Sequence, residues 1–261
     1  MGMKLFMGAA AAIAVAIPGA FGLKRLALRR QRVGALQLAN TLHLNARWWK
    51  EQGTQAGTLL YVAIGDSAAQ GVGASLPGRS YVGLVAAHLR SATGYSVRVI
   101  NLSVSGARLQ DALEAQLPDL QKLKPDVLTV AIGANDIATF ERGSFERQLA
   151  ELFDGLPAGA IVSEIPAFYL GANERNARLA NNIVRRLARA RGFAIAPLHH
   201  MTIRQGVARY ALNQVAADFF HPNDRGYRVW ASAFIPIVDR LLLLNTSTIG
   251  EALPCPGAIA R

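Results

Sequence analysis

The chain reads as an α/β protein, a three-layer α/β/α sandwich around a central parallel sheet of five strands. Three observations predict it. Short apolar runs alternate with longer helix-friendly stretches, the pattern of strands joined by crossover helices. Three of the runs end in glycine or a small polar residue, as strands do when their carboxyl ends open onto a ligand crevice. The 261 residues are 51% hydrophobic and 17% charged, enough to bury a full core.

In chain order the expected strands are Leu59–Ile64, Val97–Ile100, Val127–Ile132, Ala160–Ile165 and Phe193–Ala196. The expected helices are Tyr81–Ser91, Leu109–Leu117, Phe145–Leu156, Asn173–Arg191 and Arg225–Leu244. Together they make one domain over residues 58–244. Beyond it the tail, residues 245–261, carries Gly250, Pro254, Pro256 and Gly257 and is expected to be poorly ordered. No internal repeat is found.

Ahead of the domain, Leu5 to Leu23 is an uncharged, alanine-rich run of 19 residues. As a helix it spans roughly 28 Å, close to the roughly 30 Å of a bilayer core. Residues 1–23 are therefore expected to be an N-terminal hydrophobic helix that anchors the chain to a membrane. A cleaved signal peptide, with secretion of the rest, is the alternative. Residues 24–57 read as a basic amphipathic linker helix, with Trp48 and Trp49 serving either as interfacial anchors or as packing residues. Lys24, Arg25, Arg29, Arg30 and Arg32 outweigh Lys4, so the positive-inside rule favours a cytoplasmic domain and leaves the side open against the export reading.

The formal charge of +11 is local to this region. Eight of the 28 basic residues precede Glu51 with no acid among them, which leaves 20 bases against 17 acids for the rest. No aromatic-interleaved basic stripe marks a nucleic-acid reader. The one cysteine, Cys255, permits no internal disulfide, and His199 and His200 are adjacent instead of at metal-ligand spacing, so no metal is expected.

Chemistry concentrates at four strand ends or loops. The first run ends in Gly65-Asp66-Ser67, which sets a serine on the turn after a buried strand. Near the other end stands Asp218-Phe219-Phe220-His221-Pro222, with an acid three residues before a histidine. A serine hydroxyl becomes a nucleophile when a base takes its proton, and the base needs a carboxylate on its other nitrogen. Two further runs end in Asn101-Leu102-Ser103-Val104-Ser105-Gly106 and in Gly133-Ala134-Asn135-Asp136. Backbone N–H groups of Ser67 and Gly106 and the Asn135 amide would be donors to an oxyanion, with glycine at 106 admitting close backbone approach. Each segment alone is also an ordinary turn signal. Asp66, Asp136 and Asp224 read as loop braces or helix-start carboxylates, and Arg79, Arg108 and Tyr169 as candidate substrate contacts.

In order and residue type, these four segments resemble the SGNH hydrolases of the GDSL esterase and lipase superfamily, over residues 58 to about 242. The resemblance implies a flavodoxin-like SGNH fold. It also implies Ser67, His221 and Asp218 as a catalytic triad, Ser67, Gly106 and Asn135 as the oxyanion hole, and no cofactor or metal. Competing motifs fail. A nucleophile elbow needs Gly-x-Ser-x-Gly, and Ala68-Ala69 follow Ser67. A P-loop needs a lysine that the stretch between Glu51 and Gln121 lacks. The expected activity is hydrolysis of small-molecule or lipid carboxylic esters through an acyl-enzyme. Acyl transfer or thioester cleavage on the same site is the near alternative, and a catalytically silent membrane-tethered binding protein the distant one.

Overall fold

The computed structural model describes residues 29–249. The apolar run Leu5 to Leu23 and the last part of the tail lie outside them.

Five strands form one sheet: β1 Leu59–Gly65, β2 Val97–Asn101, β3 Val127–Ala131, β4 Ile161–Ser163 and β5 Ala194–Ala196. They lie in the order β2-β1-β3-β4-β5 and every pairing is parallel. Tyr61 stands opposite Val127, and Leu59 opposite Val97. This is the doubly wound order whose topological switch point falls between β1 and β3, where the crevice beyond the strand ends opens.

Alternation along the strands builds two cores. Val62 and Ile64 of β1, with Leu128 and Val130 of β3, face one side and pack on helices that include α4 Arg142–Asp154 and α5 Gly171–Ala190. Tyr61, Ala63, Val127 and Ala131 face the other, against α3 Tyr81–Thr93 and α7 Asp224–Ile249. Both layers are sequence-coded. Ser80 caps α3 by accepting the Gly83 N–H, and Gly94 ends it in the left-handed conformation. Glu141 caps α4 through both carboxylate oxygens. On α5, Ala177, Ala180, Val184, Leu187 and Ala188 recur at helical spacing and are buried.

Several boundaries differ from expectation, for identifiable reasons. The strand expected over 160–165 stops at Ser163 because the Asn181 side chain of α5 takes both backbone groups of Ile165, at 2.7 and 3.0 Å. The helix expected over 109–117 runs as Leu109–Asp111, a π-helical turn Ala112–Gln116 and Leu117–Leu120. Pro118 has no N–H for a regular i→i−4 bond, and the wide turn just before it brings Gln116 inward. Helix α7 continues to Ile249, five residues past the expected domain end. A short helix missed in the sequence, α6 Leu198–Ile203, follows β5.

The stretch expected as one linker helix is two. Residues 29–39 form α1, and α2 spans Leu42–Thr54, with a turn between them at which Thr41 Oγ1 bonds Leu38 O. Helix α2 packs against β2 and the Ser67–Gln70 turn. Trp49 is 4% exposed, donates its indole N–H to Gln70 O at 3.0 Å and meets Trp48 edge-on at 4.5 Å. The pair are packing residues. Among the described residues no helix is long and apolar enough to cross a membrane.

If α2 is integral, Trp49→Ala should lower unfolding free energy by about 3–5 kcal/mol in a urea titration, the usual loss for a buried tryptophan. A loss below about 1 kcal/mol would mark α2 as a detachable linker.

Candidate active site

Strand β1 ends at Gly65, and the chain turns at once into a short helix, Ser67–Gln70. Asp66 caps that turn, its Oδ1 accepting the Ala68 N–H at 2.9 Å. Ser67 thus occupies the first helical position directly beyond the strand end. Gly65 is held from below by Gln116, which is 1% exposed and bonds both the N–H and the C=O of Gly65 at 2.9 Å. No motif signals that clamp.

His221 arrives from 154 positions away. Its loop is tied down by a bridge between Val215 and Pro222, by Ala216 N–H to His221 O at 2.8 Å and by Tyr210 Oη to Phe220 O at 2.7 Å. Phe219 sits at φ 57°, a left-handed turn that lets Asp218 fold back under the histidine. In the result His221 Nε2 lies 2.7 Å from Ser67 Oγ, and His221 Nδ1 lies 2.5 Å from Asp218 Oδ2. The second Asp218 oxygen accepts the N–H groups of Phe220 and His221, both at 3.1 Å. Burial acts to raise the Asp218 pKa, but the bond from His221 and those backbone donors outweigh it and hold it below the ordinary value.

Strand β3 delivers Asn135 on the turn Ala134–Thr139. Its amide nitrogen donates to Ala107 O at 2.9 Å and lies 3.5 Å from Asp66 Oδ2, so the side chain bridges the first and second segments. Asn101 performs the matching tie at the end of β2, donating to Ala69 O at 2.9 Å and accepting from Ser103. Gly106 lies in the loop that Asn135 holds. It has φ 82°, an angle that by itself calls for glycine, and the space where a Cβ would stand is open.

Ser67, Asn135 and His221 share a cavity of about 150 Å³, walled mainly by Pro166, Phe168, Tyr169, Tyr210, Phe220 and Trp230. Gly106 and Asp218 do not line it. Of the candidate substrate contacts only Tyr169 does. Arg79 pairs with Asp224 at 2.9 Å, and Arg108 borders a separate polar hollow beside Asp136. Asp224 was expected to serve the start of its own helix, but its carboxylate binds Ser75 and Arg79, and Asn223 Oδ1 takes the Arg225 and Gly226 N–H groups instead. The aromatic walls carry no sequence signature beyond being aromatic.

Asp66 and Asp136 flank Asn135 electrostatically. Burial pushes both carboxyls up to about 6; for Asp66 the bond from Ala68 and the charge of His221 offset part of that rise, while Asp136 adds to it. A hydroxyl, an imidazole and a carboxylate in series can transfer a proton from oxygen to nitrogen and stabilise the cation formed. The amide and the N–H groups at the strand ends can receive negative charge. Among the described residues no group of three or more His, Cys, Asp or Glu is arranged to hold a metal ion.

A doubly wound sheet with a polar crevice at its switch point fits a class, the hydrolases. Within the class the chain belongs to the GDSL-like lipase/acylhydrolase family, whose model matches residues 63–229, and it is by that membership a carboxylic ester hydrolase of the SGNH/GDSL type. No curated protein matches the sequence. Among solved structures, LAE5, an alpha/beta hydrolase enzyme from the metagenome of Lake Arreo, Spain, is 26% identical with a TM-score of 0.59, covering 72% of this chain and 98% of its own. The acetylxylan esterase Axe2 from Geobacillus stearothermophilus is 21% identical at TM-score 0.59, covering 70% and 95%. The lipase/acylhydrolase from Enterococcus faecalis is 19% identical at 0.58, covering 70% and 96%. The last two share the fold.

The raised pKa of Asp66 carries a definite pH sign. A carboxyl whose folded pKa lies above its unfolded value binds more protons when folded, so its contribution to stability falls as pH rises from about 4 through 6. Asp66→Asn keeps an acceptor for Ala68 and cannot ionise. It should therefore gain stability relative to wild type on going from pH 4 to pH 7.5, by roughly 1–3 kcal/mol. Parallel denaturation curves at the two pH values would show that Asp66 does not titrate in this window.

Proposed function

We propose that this protein cleaves carboxylic esters by a two-step serine mechanism at the cavity between β1, β3 and the 215–223 loop. Ser67 Oγ attacks the ester carbonyl while His221 Nε2 takes its proton. Asp218 holds the imidazole by Nδ1 and stabilises its cation. The oxyanion is received by the N–H groups of Ser67 and Gly106 and by the Asn135 amide. His221 then protonates the departing alcohol, and water, activated by the same imidazole, releases the acyl group and restores Ser67.

The observation that carries the reading is the unbroken series Ser67 Oγ, His221, Asp218, with contacts of 2.7 and 2.5 Å. Backbone geometry supports it at both ends. The serine is on a capped turn clamped by Gln116, and the acid is fixed by two N–H donors, so neither must move far to react. Transfer to a second alcohol in place of water, or use of a thioester, would employ the same groups. A membrane location follows from the run Leu5 to Leu23, which would tether the domain and offer it esters at or near a bilayer. The domain division proposed is an anchor over residues 1–23, two helices leading into the fold, and a catalytic domain that extends to the end of α7.

The test is covalent and kinetic. Wild type should label with a fluorophosphonate and turn over p-nitrophenyl acetate. Ser67→Ala should lose the label and drop kcat by about 10⁴–10⁶. Full labelling of Ser67→Ala would put the nucleophile elsewhere. Asn135→Ala should label but lose roughly 10²–10³ in kcat, the usual cost of one oxyanion donor. An unchanged kcat would remove the amide from the mechanism.

A further inference from the structure

The reacting cavity is narrow and mostly apolar, and its shape limits what can stay bound to Ser67. Its volume of about 150 Å³ matches a cavity that takes one benzene-sized group, about six carbons. Beyond it, between Trp230 and Ile165, only about 10 Å³ remains, the lower limit for one water. Trp230 is 7% exposed and closes the inner end. The outer end is walled by the partly exposed rings of Tyr169 and Tyr210, so a chain longer than the cavity meets them before it reaches solvent. These lie against each other with centroids 4.9 Å apart.

Tyr169 is held at this exit against its backbone preference. It has φ 64°, a region that bulky side chains avoid, and such angles persist where surrounding bonds over-determine them. Here the bonds are visible. Oε2 of the buried Glu174 accepts the N–H groups of Phe168 and Tyr169 at 2.9 and 3.1 Å. Its other oxygen is gripped by Arg178 at 2.8 Å and by His199 at 3.0 Å. The Tyr169 hydroxyl donates to Thr202 O at 3.0 Å. Burial, with the nearby Glu174 charge, pushes its pKa up to about 12, so the donor persists at working pH. Ring and backbone are thus both pinned.

We propose that Tyr169, backed by Tyr210, is the end wall of the acyl pocket and sets a preference for short acyl chains, of roughly two to six carbons. The proposal rests on the ester-hydrolase reading and deepens it. The pocket is assigned to the acyl group because that group stays covalently attached through both steps, whereas the alcohol must leave past the imidazole that protonates it. A mostly apolar, partly enclosed space suits the part that stays.

The experiment is kcat/KM of the full-length protein on p-nitrophenyl esters from acetyl to palmitoyl. Wild type should fall about tenfold or more between hexanoyl and decanoyl. Tyr169→Gly removes the ring and suits φ 64°, so it should raise the decanoyl-to-acetyl ratio by about tenfold or more. Tyr169→Phe keeps the ring and should hold the wild-type ratio. Should Tyr169→Gly fail to fold, Tyr210→Ala opens the same wall and should shift the ratio in the same direction. A folded Tyr169→Gly with the wild-type chain-length profile overturns the wall, as does a wild type that takes palmitoyl as readily as acetyl. A shift that appears only when the alcohol portion is lengthened, in a series of alkyl acetates, overturns the acyl assignment. Wild type that turns over no ester at all defeats the hydrolase reading itself, which is a distinguishable failure.

Discussion

The rest of the molecule serves one hydrogen bond, between Ser67 Oγ and His221 Nε2. It joins the carboxyl end of the second strand in the sheet to a loop 154 residues later, so no local preference can form it. Its length is set by how two rigid bodies meet. One is the β1 turn, clamped by Gln116 and tied to β2 through Asn101. The other is the 215–223 loop, braced by Tyr210 and by its own bridge, and seated where α7 begins. The Asp224 carboxylate on Ser75 and Arg79 joins the two, tying the start of α7 to the segment that follows the serine. Such ties make the hydroxyl and the imidazole neighbours before substrate arrives.

The polar groups around this bond are arranged in series. Asp66 caps the serine turn, Asn135 reaches toward Asp66 and bonds Ala107, and Asp136 receives the Leu109 N–H. Each connects loops from different strands, so the amide that would meet an oxyanion is oriented by carboxyl and carbonyl groups already in place. The cost is two carboxyls in partly or fully dry surroundings, both with pKa pushed up to about 6. The aromatic wall is maintained in a comparable way, by a buried glutamate that holds Tyr169 at an unfavourable backbone angle. Function here draws on buried polar networks that a stability-driven core would omit.

Much of this was legible in the linear chain. Strand existence and order of elements followed from apolar runs alternating with helix-friendly stretches, and all five strands overlap the expected ones, β1 and β2 running one residue further. The segments around Ser67 and Asn135 were recognisable as turns after apolar runs, His221 by the acid three residues before it, and their combination by its family resemblance. Less legible were features made by partners distant in sequence. Asn181 ending β4, Gln116 gripping Gly65 and Trp49 seating α2 each depend on a side chain whose own surroundings carry no special pattern. The expected single linker helix is two because of a local turn at residues 40 and 41 that helix-forming composition concealed.

Periodicity and turn chemistry are short-range properties, so by itself the sequence determined the α/β class, the sites where strands stop and the residue types that could react. It also determined that the basic charge gathers ahead of the domain. Only the tertiary structure decided that the serine and histidine meet at 2.7 Å, that Gly106 is needed for its φ, and that Arg79 faces Asp224 and not the cavity. It decided the pocket as well, since a volume of about 150 Å³ is what remains when side chains from the turns after β1 and β3, the 166–169 loop, the 210–222 segment and α7 have packed. A gap between packed surfaces has no signature along any one of them, because it depends on all of their positions at once.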